Sequence, residues 1–129
     1  AHIGLMPQHV RSEGGYRVRG KDQKDIDRLV EDALELQAAG AAMILVEGMK
    51  AEAAKAVTEA VKVPTIGIGA GNATDGQVLV WSDMFGFFET FKPKFVKQYC
   101  NGAKEVREGL EKYISEVKTR EFPDENYSY

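Results

Sequence analysis

Glu47 stands where a working group would stand. Six apolar residues, Ala41–Val46 (AAMILV), run straight into it, and Gly48 follows. A carboxylate where a buried strand emerges is costly unless it has a task or a partner. One task is general base catalysis, because an apolar surround strips water from a carboxylate and strengthens it as a proton acceptor. The alternative is a solvated loop acid or the ion-pair partner of Lys50, and position alone gives the two readings equal weight. His2 is the second candidate. An imidazole can donate to a carboxylate or keto oxygen whether charged or neutral, and its alternative role is to cap a strand end. His9 falls in a polar loop and reads as a surface residue. Two histidines without a Cys or Asp cluster do not make a metal site, so no metal ligand is assigned within the chain.

The glycine-rich stretch Val63–Gly86, VPTIGIGAGNATDGQVLVWSDMFG, is the other chemical signal. Gly67, Gly69 and Gly71 do not have the spacing of a dinucleotide fingerprint, and no clear helix follows them. Glycines that let backbone or substrate approach closely are the preferred reading. Asp75 and Asp83 are acids near strand ends, and neither is assigned a catalytic role.

These residues need elements to position them. Ala1–Leu5 reads as the tail of a strand, and a polar loop with Pro7 and Gly14-Gly15 runs from Met6 to Gly20. Ile26, Leu29, Val30, Ala33 and Leu34 recur at helical spacing, which predicts a helix over Lys21–Ala39 with Gly40 as its C-terminal cap. Ala41–Val46 lacks alternation and reads as a strand covered on both faces. Lys50–Val61 is helical again, with Ala51, Ala54, Val57 and Val61 on one side; Pro64 ends it and Thr65–Ile68 forms the next strand. This is the βαβ rhythm of a parallel sheet. Between Gly71 and Val78 the rhythm breaks, since a parallel crossover usually takes about a dozen residues or more. Either one tight helical turn makes that crossing or Gln77–Trp81 pairs differently. Phe85, Phe87, Phe88, Phe91 and Phe95 then form an aromatic passage, read as loop packing or a subunit contact in preference to a ligand cage. A last helix is predicted over Ala103–Lys118, with Val106, Leu110, Tyr113, Ile114 and Val117 on one face and an irregular polar tail beyond.

At 129 residues, 43% hydrophobic and 29% charged, the composition is that of a globular domain with its own core. Nothing in it divides the chain, so residues 1–129 read as a single unit. A net charge of −3 with scattered basic residues makes no electrostatic case for nucleic acid. No apolar run approaches the length of a membrane span, and no secretory signal is visible. Cys100, the sole cysteine, has no internal disulfide partner, which fits a reducing compartment, and a cytoplasmic location is expected. AHIGL has no initiator Met and reads like the end of a strand, so a fragment or processed product is plausible from residue 1.

Several blocks carry a resemblance in the right order: HIGLMPQ (His2–Gln8), GGYRVRG (Gly14–Gly20), VEGM (Val46–Met49) and PTIGIGAG (Pro64–Gly71). They continue with DGQVLVW (Asp75–Trp81), DMFG (Asp83–Gly86), PKFVK (Pro93–Lys97) and the closing FPDENYSY. Along nearly its whole length the chain resembles the C-terminal half of ketopantoate hydroxymethyltransferases (3-methyl-2-oxobutanoate hydroxymethyltransferases), enzymes of pantothenate biosynthesis. The resemblance implies an α/β fold, half of a (β/α)8 TIM barrel of the phosphoenolpyruvate/pyruvate type, a fold of about 250 residues when whole. Its last four strands would be Ala1–Leu5, Ala41–Val46, Thr65–Ile68 and Val78–Trp81.

The resemblance also implies a reaction. A hydroxymethyl group passes from 5,10-methylenetetrahydrofolate to 3-methyl-2-oxobutanoate, giving 2-dehydropantoate. A base must remove the proton beside the ketone, and positive charge must steady the keto oxygen. Glu47 matches the family's base and His2 its substrate-contacting histidine. The charge is a Mg2+ ion, and its two aspartate ligands and a substrate-binding lysine belong to the N-terminal half. That half is the implied partner, together with a homo-oligomer of barrels and the small 2-oxo acid and folate substrates. Met6, Met49, Lys50 and Ser82 depart from the family pattern around the site rim. A non-catalytic half-barrel that serves only assembly is the competing reading, and a related barrel enzyme working on another 2-oxo acid is a third.

Overall fold

The computed structural model describes residues 1–9, 11 and 14–129; the side chain of His9 lies outside the described residues, and so does its reading as a surface group. Although the sequence shows no linker, the chain is organised as two compact units, Ala1–Leu79 and Val80–Tyr129.

Among the described residues the first unit is a four-stranded parallel sheet in the order β1-β2-β3-β4 with two α-helices. Its elements are β1 (His2–Gly4), α1 (Gln23–Ala38), β2 (Ile44–Glu47), α2 (Ala51–Ala60), β3 (Thr65–Ile68) and β4 (Gly76–Gln77). α1 begins where the side chain of Asp22 accepts the Asp25 N–H, an N-cap that satisfies one of the free donors of the first turn. It ends as the sequence predicts. Gly40 takes φ +94°, its N–H bonds Gln37 O at 3.0 Å, and Ala41 N–H bonds Leu36 O at 3.0 Å. That pair of bonds is a Schellman turn, which requires a left-handed residue and therefore favours glycine.

Strand residues alternate between two faces. Ile3, Ile44 and Val46 turn to the helices and join Leu29, Ala33, Ala53, Ala54 and Val57 in the core. Fully burying an aliphatic side chain of this size contributes about 1.5–3 kcal/mol, so Ile44 and Val46, both at 0% exposure, anchor β2 against α1 and α2. The opposite face carries His2, Leu45, Glu47, Ile66 and Ile68, all half-buried.

Two expectations need correction. Ala41–Val46 is not a strand covered on both faces: the strand is Ile44–Glu47, its residues alternate between buried and half-buried, and Met43 is exposed. Glu47 is thus the last residue of the strand itself. The fourth strand is not Val78–Trp81 but Gly76–Gln77, extended only by the Val78 N–H bonding Gly67 O at 3.0 Å. Val78 and Val80 are exposed, and Trp81 opens a short helix.

The crossing from β3 to β4 is made without a helix. Gly67 has no side chain, and Thr74 and Gln77 fill the space: an added Cβ would lie 2.6 Å from Thr74 Oγ1 and 2.9 Å from Gln77 Nε2. Gln77 Nε2 donates to Gly71 O at 2.9 Å and to Thr74 Oγ1 at 2.8 Å, and Thr74 Oγ1 donates to Gly76 O at 2.9 Å. At the start of the strands, Asp75 Oδ2 accepts from the Thr65 N–H at 2.8 Å and from the Thr65 hydroxyl at 3.0 Å. Those bonds, backbone first, hold the Asp75 carboxyl below its usual range.

The second unit contains α3 (Trp81–Met84) and α4 (Gly102–Thr119). Asn101 caps α4 through the Lys104 N–H at 3.1 Å, and Arg107 pairs with Glu89. Gly86 explains one glycine of the DMFG block. Its φ is +71°, and a Cβ there would lie 2.6 Å from Cys100 O. Trp81 and Phe87 meet edge to face, and Phe122 packs between Tyr113 and Tyr127. The apolar stripe of α4 is 43–56% exposed, and Phe88, Phe91 and Phe95 are exposed as well.

Candidate active site

Glu47 closes β2 at the carboxyl end of the parallel sheet, the end at which α/β sheets build their sites. The backbone around it is tied on every side. Glu47 O accepts the Leu5 N–H at 2.8 Å, and the Gly48 N–H donates to Ile68 O at 2.9 Å. β1 can come this close because Gly4, directly opposite Glu47, has no side chain; a Cβ there would lie 2.2 Å from Glu47 O. Gly48 turns the chain away with φ +56°.

The GGYRVRG segment reaches the same point. Arg19 N–H donates to Gly48 O at 3.0 Å, and Arg19 O accepts the Lys50 N–H at 2.9 Å. The Arg19 guanidinium pairs with Asp25 in the first turn of α1 at 2.8 Å, and Asp25 Oδ2 also accepts the Gly20 N–H at 2.6 Å. The Arg19 hydrogen bond holds the Asp25 carboxyl below its usual range. The Gly20 N–H and the charges of Arg19 and Arg28 add to it, against an opposing effect of partial burial. Nothing in the sequence singled out Arg19 or Asp25; their only signal was membership of Arg19 in that block.

The structure brings together the two residues singled out for chemistry. His2 lies on the same sheet face as Glu47, one strand over, and its Nε2 is 3.1 Å from Glu47 Oε2. The side chains are 26% and 20% exposed. Nε2 itself is sealed from solvent and has no hydrogen-bond partner, because its approach to the carboxylate lacks hydrogen-bond geometry. Lys50 is exposed at the N-cap of α2. The partner of Glu47 is thus the histidine and not the lysine weighed for it.

A cleft of about 490 Å³ opens beside His2 between β1 and α1, lined also by Gly4, Met6, Arg19, Arg28 and Asp32. A hollow of about 660 Å³ over the start of α1 is walled by charged side chains such as Arg17, Lys24 and Glu31, and neither His2 nor Glu47 lines it. Among the described residues no three His, Cys, Asp or Glu side chains stand together as a metal site would require. The described residues by themselves therefore do not fit a Mg2+ cage. Among the described residues no helix is long and apolar enough to cross a membrane.

Parallel strands alternating with helices, with a half-buried acid at the carboxyl end of β2 beside the histidine of the neighbouring strand, define an α/β domain. The ketopantoate hydroxymethyltransferase family profile matches residues 1–125. The chain belongs to that family. It is 61% identical over 128 residues to the 3-methyl-2-oxobutanoate hydroxymethyltransferase of a Nitratiruptor species, a match covering 99% of this chain and 48% of the relative. It is 57% identical to the protein of that name from Aliarcobacter butzleri, with 99% of this chain and 48% of the relative covered. For Campylobacter concisus the identity is 56%, over 100% of this chain and 48% of the relative. The chain spans about half the length of the curated relatives it matches.

Proposed function

We propose that this chain is the C-terminal half of a (β/α)8 barrel that transfers a hydroxymethyl group from 5,10-methylenetetrahydrofolate to 3-methyl-2-oxobutanoate, yielding 2-dehydropantoate. The observation that carries the reading is Glu47, fixed by backbone bonds at the carboxyl end of β2 with its carboxylate beside His2. A half-buried carboxylate at that point can take the C3 proton of the oxo acid, leaving an enolate to attack the one-carbon unit. His2 lies on the same sheet face and can donate to the acid's carboxylate or keto oxygen. Mg2+ held by the remaining half would supply the positive charge that steadies the keto oxygen. The barrel-completing half is accordingly a required partner. The exposed aromatic side chains of the second unit support assembly into a homo-oligomer. The lone Cys100 supports a cytoplasmic setting.

The test is deuterium exchange at C3 of 3-methyl-2-oxobutanoate by this segment together with the half that completes its barrel, in the presence of Mg2+. Glu47→Gln should reduce exchange by at least about a hundredfold while the dissociation constant of the oxo acid changes little, consistent with the usual weight of a general base. Exchange that persists in Glu47→Gln would remove Glu47 from the mechanism and leave an assembly role as the better reading.

A further inference from the structure

The aim of Glu47 is set by its backbone. Its neighbour His2 comes within 3.1 Å but makes no hydrogen bond to it. The next residue, Gly48, has no Cβ to restrict its torsions and sits at φ +56°. A glycine directly after the acting group leaves that peptide free to turn unless bonds from elsewhere hold it. β3 supplies one, since Ile68 O accepts the Gly48 N–H. The GGYRVRG segment supplies two more. The Arg19 N–H donates to Gly48 O at 3.0 Å and Arg19 O accepts the Lys50 N–H at 2.9 Å, so that Arg19 runs beside Met49 as a one-residue parallel bridge.

A bridge of one residue is a short hold, and Tyr16 and Val18 just before it are exposed. Backbone bonds with so little packing around them open easily. Asp25 secures this one. Its Oδ1 accepts from Arg19 Nη2 at 2.8 Å, and its Oδ2 accepts from Arg19 Nε at 3.4 Å and from the Gly20 N–H at 2.6 Å. The contact is forked and charge-assisted. The two side chains are only 17% and 23% exposed, so the pair differs from the fully solvated ones that contribute little. Asp25 is itself fixed in the first turn of α1, where Asp22 accepts its N–H.

We propose that Asp25 is a positioning residue for Glu47, acting through Arg19 to hold the peptide groups that follow the base. The inference rests on the reading of Glu47 as the base. The line of action runs from α1 through Asp25 to Arg19 and Gly20, and from the Arg19 main chain to Gly48 and Lys50. Asp25 takes no proton in this scheme. Its loss changes where Glu47 points, and a misplacement of about 1 Å caused from a distance can cost about a hundredfold in rate.

Two measurements on Asp25→Ala test this. On the chain itself, amide hydrogen exchange at Lys50 should speed up about tenfold more than at Leu45, whose N–H bonds Ala1 O in the same sheet. On the assembled protein, the saturating rate of C3 exchange should fall by about tenfold to a hundredfold, while the dissociation constant of the oxo acid stays within about twofold. Val57→Ala, at a fully buried position of α2, shows what lost stability alone does, and it should keep the wild-type saturating rate while folded. A Lys50 amide as protected as in wild type overturns the proposal, because the close packing of Gly20 on Ala53 then holds the segment without the ion pair. So does an unchanged saturating rate, or a fall that Val57→Ala matches. Failure of the base reading is separate. It shows as C3 exchange surviving Glu47→Gln, whereas the Lys50 amide reports on Asp25 whatever the role of Glu47.

Discussion

At the scale of single residues, the backbone just beyond Glu47 is held by an ion pair that lies outside β2. Arg19 and Asp25 connect the first turn of α1 to the peptide groups just beyond Glu47, and the Asp25 carboxyl is held below its usual range chiefly by the Arg19 hydrogen bond. The sign of the pH effect follows. A carboxyl whose folded pKa is depressed contributes stability in full above its unfolded value, about 3.9, and loses it as pH falls through the folded value. Asp25→Asn should therefore destabilise the protein at neutral pH, and the gap to wild type should narrow below about pH 4. Urea unfolding of both proteins at the two pH values checks this. An equal gap at both would mean that Asp25 acts through the neutral hydrogen bond to Gly20 alone. Asp75 has a shift of the same direction, so the comparison must be between variant and wild type rather than between pH values. The place of Glu47 at the end of β2 was legible because an apolar run that ends in an acid marks where a strand emerges. Arg19 and Asp25 were not, because an ion pair six residues apart across a loop leaves no periodic trace.

At the scale of elements, α1 and β3 were legible for clear physical reasons. The apolar stripe of α1 repeats at helical spacing and Gly40 supplies the left-handed cap, while Pro64 fixes the start of Thr65–Ile68. β4 was not, since VLVW has the residue types of a strand but the pairing is set elsewhere. Asp75 is bonded to Thr65 and Gln77 is paired with Gly67, which places the strand at Gly76–Gln77 and leaves the valines outside it. The helix-free crossing should therefore be sensitive at Gly67. Gly67→Ala puts a methyl 2.6 Å from Thr74 Oγ1 and 3.3 Å from Thr74 Cγ2, and overpacking of this kind costs about 1–3 kcal/mol. Thr74→Ala in the same chain removes both atoms, so the double variant should be less destabilised than the sum of the single ones. A chemical-denaturation double-mutant cycle measures that coupling. Strict additivity would mean that Thr74 and Gln77 do not take the place of a helix over Gly67.

At the scale of the molecule, the ends of the sheet carry the argument. Among the described residues β1 and β4 end the sheet, each with a single strand neighbour, and unpaired strand edges invite association. Four parallel strands are half the number of a closed (β/α)8 barrel, and the chain spans 48% of its relatives' length. The stripe of α4, Val106, Leu110, Tyr113, Ile114 and Val117, is about half exposed, more contiguous apolar surface than a self-sufficient domain usually leaves to water. A complementary half that supplies the missing strands should stabilise this one by mass action, by about 2.7 kcal/mol at a hundredfold excess over its Kd. The chain alone should then bind a hydrophobic dye and self-associate on sedimentation. Titrating in the complementary half should remove the dye signal, raise the thermal midpoint in a dose-dependent way, and bring C3 exchange with it. A lone chain that sediments as a monomer, ignores the dye and melts at the same temperature with or without that half would contradict the barrel-completion argument. Barrel completion and catalysis need not fail together. On the proposed function, closure would depend on strand edges and the apolar stripe and exchange on Glu47, so a barrel assembled from Glu47→Gln protein should show the full rise in melting temperature with none of the exchange.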